Sequence, residues 1–278
     1  MKDFILRVKC RDELGLLNRI TSALLSRQLN IVSNSEFVDP IHNLFFVRTE
    51  FTGDINESSL LSELRDKLPE NALIQLNSKE RKKLIILVTK ENHCLGDLLI
   101  RWDGGDLNAD ILGVISNHNQ LQNLSEKFGL PFHYITHEEK TREIHEAEIS
   151  SIIQQYNPDY IILAKYMRIL TESFVDKFPG KIINIHHSFL PAFIGAKPYQ
   201  QAFDRGVKII GATAHFVTKQ LDDGPIIHQA TSSITHRDSA EEMAKQGRDI
   251  EKLVLAKAVK LVLEDRVFIS GNKTIIFE

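Results

Sequence analysis

The sequence predicts an α/β protein in two parts: a small split βαββαβ module, then a larger, mostly parallel sheet with helices on both faces. Three observations lead there. Residues 3–77 alternate strand-like and helix-like stretches in the order β-α-β-β-α-β. The charged run Ser78-Lys79-Glu80-Arg81-Lys82-Lys83 then interrupts the apolar pattern, as solvated linkers do. From Leu84 onward, short apolar runs alternate with helical patterns, the mark of repeated βα units and a parallel sheet. With 278 residues, 42% hydrophobic and 26% charged, the chain is globular and long enough for a sizeable core. The expected organisation is 1–77, a linker at 78–83, and 84–278.

In the first module, residues 4–8 form a strand, and Leu16, Leu17, Ile20 and Leu24 recur at helical spacing. Residues 30–38 and 43–51 are strands joined by Asp39-Pro40-Ile41-His42, a turn by composition. Leu60, Leu61, Leu64 and Leu68 mark a second helix, and residues 72–76 a last strand. That order is ferredoxin-like. In the second part, residues 84–88, 111–116, 132–135, 160–163 and 182–185 read as strands. Helices at 95–102, 119–128 and 144–156 lie between them, giving a Rossmann-like series. A β-rich run at 209–217, a strand ending at 234, an amphipathic helix over 239–263 and a hairpin over 267–277 complete the chain.

A net charge of −3 and a pI near 6.4 give no general attraction to nucleic acid or anionic lipid. Cys10 and Cys94 make neither a disulfide framework nor a metal-ligand pattern. The opening MKDFILRVKCRDE scatters charges through a short apolar stretch, unlike a secretory signal. No segment approaches the roughly 18 uncharged apolar residues of a membrane span. A soluble cytoplasmic protein is expected, with no nucleic-acid or membrane partner.

Chemistry concentrates between Ile182 and Gln229. Asn184 and His186 end one β-type run, and Asp222 sits in the polar turn Asp222-Asp223-Gly224 after the next. Ligands of open α/β sheets bind at strand ends. An amide, an imidazole and a carboxylate suit attack on a carbonyl: a donor for the oxyanion, a proton shuttle and an orienting anion. Alone, the spacing is a weak signal. A histidine near a strand end is more often structural, and Asp-Asp-Gly more often only a turn.

Four ordered segments add weight: Ala164-Lys165-Tyr166-Met167-Arg168-Ile169-Leu170, Asn184-Ile185-His186-His187-Ser188-Phe189-Leu190-Pro191, His215-Phe216-Val217 and Leu221-Asp222-Asp223-Gly224-Pro225-Ile226-Ile227. Over about residues 84–278 they resemble the formyltransferase superfamily that uses 10-formyltetrahydrofolate. The resemblance implies that Asn184, His186 and Asp222 are catalytic. It also implies that Met167, Arg168, Ile169 and Leu170 line a pterin pocket largely through backbone groups. The loop carrying Thr218, Gln220 and Leu221 would close the other side. The entry Asp12-Glu13-Leu14-Gly15-Leu16-Leu17, followed by Leu29-Asn30-Ile31, resembles an ACT domain. Such domains imply a small amino-acid effector between two copies, and so a homo-oligomer. In the plainer reading Gly15 only relieves a tight turn and the module only dimerises.

Two departures bear on the reaction. Glycinamide ribonucleotide transformylases carry a Gly/Ser/Asn-rich turn after their first strand, whose amides cradle a substrate phosphate. Here the turn is Thr89-Lys90-Glu91-Asn92-His93-Cys94-Leu95-Gly96-Asp97, with its only glycine late. Glu91 and Asp97 would repel a phosphate, offset in part by Lys90. His187 stands where the transferases usually have proline. His93-Cys94-Leu95-Gly96-Asp97, the pair His186-His187 and the ACT-like module together are similar to the 10-formyltetrahydrofolate deformylase family.

That similarity implies a hydrolase acting on a linear amide. Water replaces the amine, and formate and tetrahydrofolate leave, supplying formate for purine synthesis and balancing one-carbon pools. The alternatives are formyl transfer to an unidentified amine, or a folate-binding regulator without activity. The folate is the substrate and no cofactor is implied; the motif residues do not form a three-ligand zinc set. His187 either packs structurally or helps hold the water, and His215 supports Asp222 or the backbone. His93 and Cys94 carry the same ambiguity, Cys94 lying near a helix start where a thiol pKa can fall. Lys197 and Pro198 are expected to shape the loop over the site, and Arg248 to be solvated or salt-bridged.

Overall fold

The computed structural model describes residues 2–192 and 198–278. Lys197 lies outside the described residues. The chain divides into two compact units: Met1–Glu80 with Glu264–Phe268 and Ile275–Glu278, and Arg81–Leu263 with Ile269–Thr274. The connection expected at 78–83 is shorter, because strand pairing continues to Ser78 and resumes at Lys82.

The first unit contains β1 (Lys2–Arg11), α1 (Leu16–Leu25), β2 (Asn30–Asp39), β3 (Leu44–Gly53), α2 (Glu57–Lys67) and β4 (Leu73–Ser78). Its antiparallel sheet has the order β2-β3-β1-β4. Alternate residues of a strand share a face. Phe4, Leu6, Val8 and Cys10 of β1 therefore join Phe45, Val47 and Phe51 of β3 under Leu16, Ile20 and Leu24 of α1 and Leu60 and Leu64 of α2. Gly15 opens α1 at φ 85, a left-handed conformation that glycine adopts without strain. Asn56 caps α2 by accepting the Ser59 N–H at 3.0 Å.

The other face of this sheet is covered by the C-terminal segments, which the sequence pattern assigns to the second part. Arg48, 3% exposed, donates to the carbonyls of Glu264 at 2.8 Å and Asp265 at 3.2 Å. Phe46 meets Phe268 edge-on, and Phe268 meets Phe277 the same way. The physical reason is simple: both helices lie on one face, and the opposite apolar residues still need cover.

The second unit runs β5 (Lys82–Val88), α3 (His93–Asp103), β6 (Ala109–Ser116), α4 (Gln122–Lys127), β7 (Phe132–Tyr134), α5 (Arg142–Tyr156), β8 (Tyr160–Leu163), α6 (Glu172–Lys177), β9 (Ile182–His186), α7 (Pro198–Arg205), β10 (Ile209–Phe216), β11 (Ile226–Ser233) and α8 (Ala240–Leu263). The hairpin strands β12 (Val267–Ser270) and β13 (Lys273–Ile276) follow. The sheet order is β11-β10-β9-β8-β5-β6-β7, with β5 to β9 parallel and β10 and β11 antiparallel. Order reverses on the two sides of β5, the switch point where such sheets bind ligands. There the backbone N–H of Met167, after β8, donates to Thr89 Oγ1, after β5, at 3.0 Å.

Helices α6 and α7 are absent from the sequence reading. At 6 and 8 residues they are too short for a periodic signal. α6 is instead fixed by its cap: Thr171 accepts the Phe174 N–H, and its own N–H donates to the buried Glu146 at 2.9 Å. Phe174 and Phe178 then pack into the core with Ile85, Leu87, Ile161 and Leu163.

Candidate active site

Strand geometry gathers the polar residues. Asn184 and His186 are alternate residues of β9 and point to one face. Antiparallel β10 pairs His215 with Asn184 and Thr213 with His186, and directly opposed residues share a face. Asn184 therefore lies within a strand rather than at its end. Asp222 comes from the turn after β10, at φ 54, a left-handed conformation Asp tolerates better than most residues. Gly224 lets that turn fold back, since a Cβ there would sit 1.7 Å from the Phe216 carbonyl oxygen. Asp222 Oδ1 then lies 3.3 Å from His186 Nδ1 and 3.8 Å from His215 Nε2.

Burial works against a charged Asp222, but the His186 hydrogen bond and the neighbouring imidazoles outweigh it. The carboxyl is held below its ordinary range. Burial lowers the pKa of His215, and its Nδ1 lies 2.9 Å from the Phe216 carbonyl oxygen. A carbonyl only accepts, so Nδ1 carries the proton and Nε2 is the acceptor. Asn184 therefore turns its NH₂ toward His215 Nε2, at 3.2 Å. His186 is 5% exposed, and its Nε2 has no hydrogen-bond partner among the described residues. Such an orphaned atom is uncommon in a folded interior, and a bound oxygen would satisfy it.

His187 stacks on His186, with centroids 4.9 Å apart and planes at 19°. Burial first, then the charge of Lys165, push its pKa down to about 4, so it is neutral at neutral pH. The turn between β5 and α3 differs from expectation in two ways. Asp97 does not stand as a free charge there; it pairs with Arg101 at 2.7 Å. Cys94 is buried and its thiol pKa is raised, chiefly by desolvation and then by Glu251, the reverse of an activated thiol.

Beside the same turn lies a cluster the sequence reading missed. Glu251 of α8 is 1% exposed and accepts from His93 Nε2 and from the Tyr199 hydroxyl, both at 2.7 Å. Lys165 Nζ, 4% exposed, lies 3.1 Å from the same carboxylate. A signal existed: Glu251 occupies the buried stripe of α8 formed by Met243, Gly247, Val254 and Leu255. His93, Cys94 and Glu251 place potential metal ligands within 4.8 Å of one another. The Lys165 ammonium already neutralises the carboxylate, and the raised thiol pKa opposes the thiolate a metal needs.

Of the expected folate-lining residues, Met167 and Ile169 are 55% and 52% exposed. Leu221 on the second loop is 56% exposed, and Thr218 Oγ1 donates to the Gln220 carbonyl at 3.2 Å. Leu170 and Val217 pack against one core cluster, which ties both loops to the same patch of interior. Arg248 is exposed.

Comparison with known proteins fits this architecture. The Formyl transferase family matches residues 82–259, and the ACT domain family matches residues 4–68. The chain is 53% identical to the formyltetrahydrofolate deformylase of Escherichia coli (strain K12), over 98% of this chain and 97% of that one. A crystal structure of a formyltetrahydrofolate deformylase from Pseudomonas syringae matches with TM-score 0.96 and 38% identity, covering 100% of this chain and 95% of that one. Glycinamide ribonucleotide transformylase 1 from Symbiobacterium toebii matches at 29% identity with TM-score 0.68, covering 71% of this chain and 95% of that one. The ACT module, the formyl transferase domain and near-full-length identity together place the chain in the formyltetrahydrofolate deformylase family.

Proposed function

We propose that the chain hydrolyses 10-formyltetrahydrofolate to formate and tetrahydrofolate, with Asn184, His186 and Asp222 as the reacting groups and water as acceptor. The observation that carries the residue roles is Asp222 Oδ1 at 3.3 Å from His186 Nδ1, while His186 Nε2 is left without a partner. Asp222 takes a proton from water as the water oxygen bonds to the formyl carbon. The formyl oxygen becomes an oxyanion, met by an Asn184 amide hydrogen and by His186. One such donor contributes about 10²–10³ in rate. The C–N10 bond then breaks with its electron pair going to N10. The proton taken from water reaches N10 through the Asp222–His186 pair, a general acid–base contribution of roughly 10²–10⁴.

Met167, Arg168, Ile169 and Leu170 hold one side of the pterin, and Thr218, Gln220 and Leu221 the other. The exposed apolar side chains at Met167, Ile169 and Leu221 support this reading. No metal takes part. Residues 1–77, with the C-terminal segments that cover their sheet, form the regulatory module, binding a small amino acid and pairing copies of the chain, and the rest of residues 84–278 supplies the catalytic domain. Support for pairing comes from β2 at the sheet edge, with Val32 60% and Phe37 42% exposed. The enzyme works in the cytoplasm, supplying formate for purine synthesis. No helix among the described residues is long and apolar enough to cross a membrane.

The test is incubation with 10-formyltetrahydrofolate alone. Stoichiometric formate without added amine is the expected result. Formate only on addition of an amine would instead establish a transferase.

A further inference from the structure

The mechanism leaves the buried Lys165–Glu251–His93–Tyr199 cluster without a task. It is too ordered to be incidental. Lys165 holds a left-handed backbone at φ 62 two residues past the end of β8, and its ammonium lies 3.1 Å from the Glu251 carboxylate. Tyr199 lies so close to Gly247 that a Cβ there would meet its hydroxyl at 2.0 Å. Burial opposes the charge on Glu251, yet bonds from His93 and Tyr199 and the Lys165 charge hold its pKa at about 2. The carboxylate is thus ionised at neutral pH.

Its location matters. His93 is the first residue of α3, Asn92 makes no side-chain cap, and the first turn contains no acidic residue. A helix N-terminus offers free N–H groups and a positive dipole end to an anion. Through His93, α8 brings an ion-paired carboxylate beside this helix start, where the chain's own groups take up the space. From there the cluster continues to the reacting groups. The Tyr199 ring lies 6.4 Å from that of His187, which stacks on His186. A cavity of about 130 Å³ lies behind this wall, bordered by His187, Tyr199, Ala202 and Ile210.

We propose that the Lys165–Glu251–His93–Tyr199 network determines acceptor specificity: it fills, with the chain's own side chains, the approach an amine-bearing acceptor would need, so that only water reaches the formyl carbon. This rests on the hydrolase reading. Tyr199 is the member of the network that borders this cavity, and its ring faces that of His187, so its removal is the change that tests the wall. In an opened variant the amine nitrogen bonds to the formyl carbon and the C–N10 bond breaks with its pair going to N10. One proton passes from the amine to N10, leaving a formamide and tetrahydrofolate.

The experiment gives the full-length protein 10-formyltetrahydrofolate with increasing hydroxylamine or glycinamide, and measures the ratio of formylated amine to formate by mass spectrometry. A product ratio does not depend on how much protein is active, so general destabilisation leaves it unmoved. Wild type is expected to give formate at every amine concentration. Tyr199→Ala should raise the ratio at least tenfold, and Tyr199→Phe, which keeps the wall, should leave it at the wild-type value. If Tyr199→Ala does not fold, Tyr199→Leu provides the opening. A wild-type ratio in the folded opened variant, or equal amine capture by wild type, overturns the proposal. Absence of formate from wild type without amine overturns the hydrolase reading instead.

Discussion

Replacing Asp222 with asparagine isolates its charge. The side chain is 12% exposed and its Oδ1 lies 3.3 Å from His186 Nδ1. At an effective dielectric of about 20, that separation gives an attraction to a protonated imidazole of roughly 5 kcal/mol. At about 1.4 kcal/mol per decade, kcat should fall by about 10³–10⁴. Asparagine matches aspartate in shape and also tolerates the left-handed backbone at φ 54, so the turn should persist. Tetrahydrofolate affinity, measured by fluorescence titration, should change by less than a few-fold. The assay is formate release at saturating folate, with melting temperature as the fold control. Turnover within tenfold of wild type in a folded variant would remove Asp222 from the mechanism. Loss of folate binding along with activity would recast it as a structural residue.

Asn184→Ala removes one oxyanion donor and should lower kcat by about 10²–10³, with folate binding kept; an unchanged kcat in single-turnover assays refutes the role. Gly224→Ala forces a Cβ to within 1.7 Å of a backbone oxygen. Both melting temperature and kcat should fall, and native values of both would disprove the close approach. Glu251 has its folded pKa depressed to about 2 from an ordinary 4.5. Its contribution is therefore full above pH 4.5 and lost as pH falls toward 2, at most about 3 kcal/mol from that shift. Urea midpoints measured from pH 6 down to pH 3 should fall through the lower part of this range in wild type and less steeply in Glu251→Gln; parallel curves would contradict the assignment.

The sequence made the long elements legible because their apolar residues repeat over many positions, as with Leu16, Ile20 and Leu24 in α1. It also offered candidates for the reacting groups, since Asn184, His186 and Asp222 occur in a recognisable order. Their meeting was not legible. It depends on the register that sets His215 against Asn184, on a left-handed Asp222 and on the close approach at Gly224. None of these leaves a periodic trace. Glu251 was visible as a charge on an apolar stripe of α8, but its partners His93, Lys165 and Tyr199 lie far away in the chain. Pairing a buried charge requires knowing which loops converge on it.

The C-terminal segments that cover Phe46 and Arg48 have a practical consequence for anyone dissecting this protein. The amino-terminal module is not a contiguous stretch of coding sequence. A fragment cut at residue 80 would leave Phe46 bare and the Arg48 guanidinium without its carbonyl partners, an invitation to aggregate. A soluble version should carry residues 264–268 and 275–278 grafted back through a designed loop.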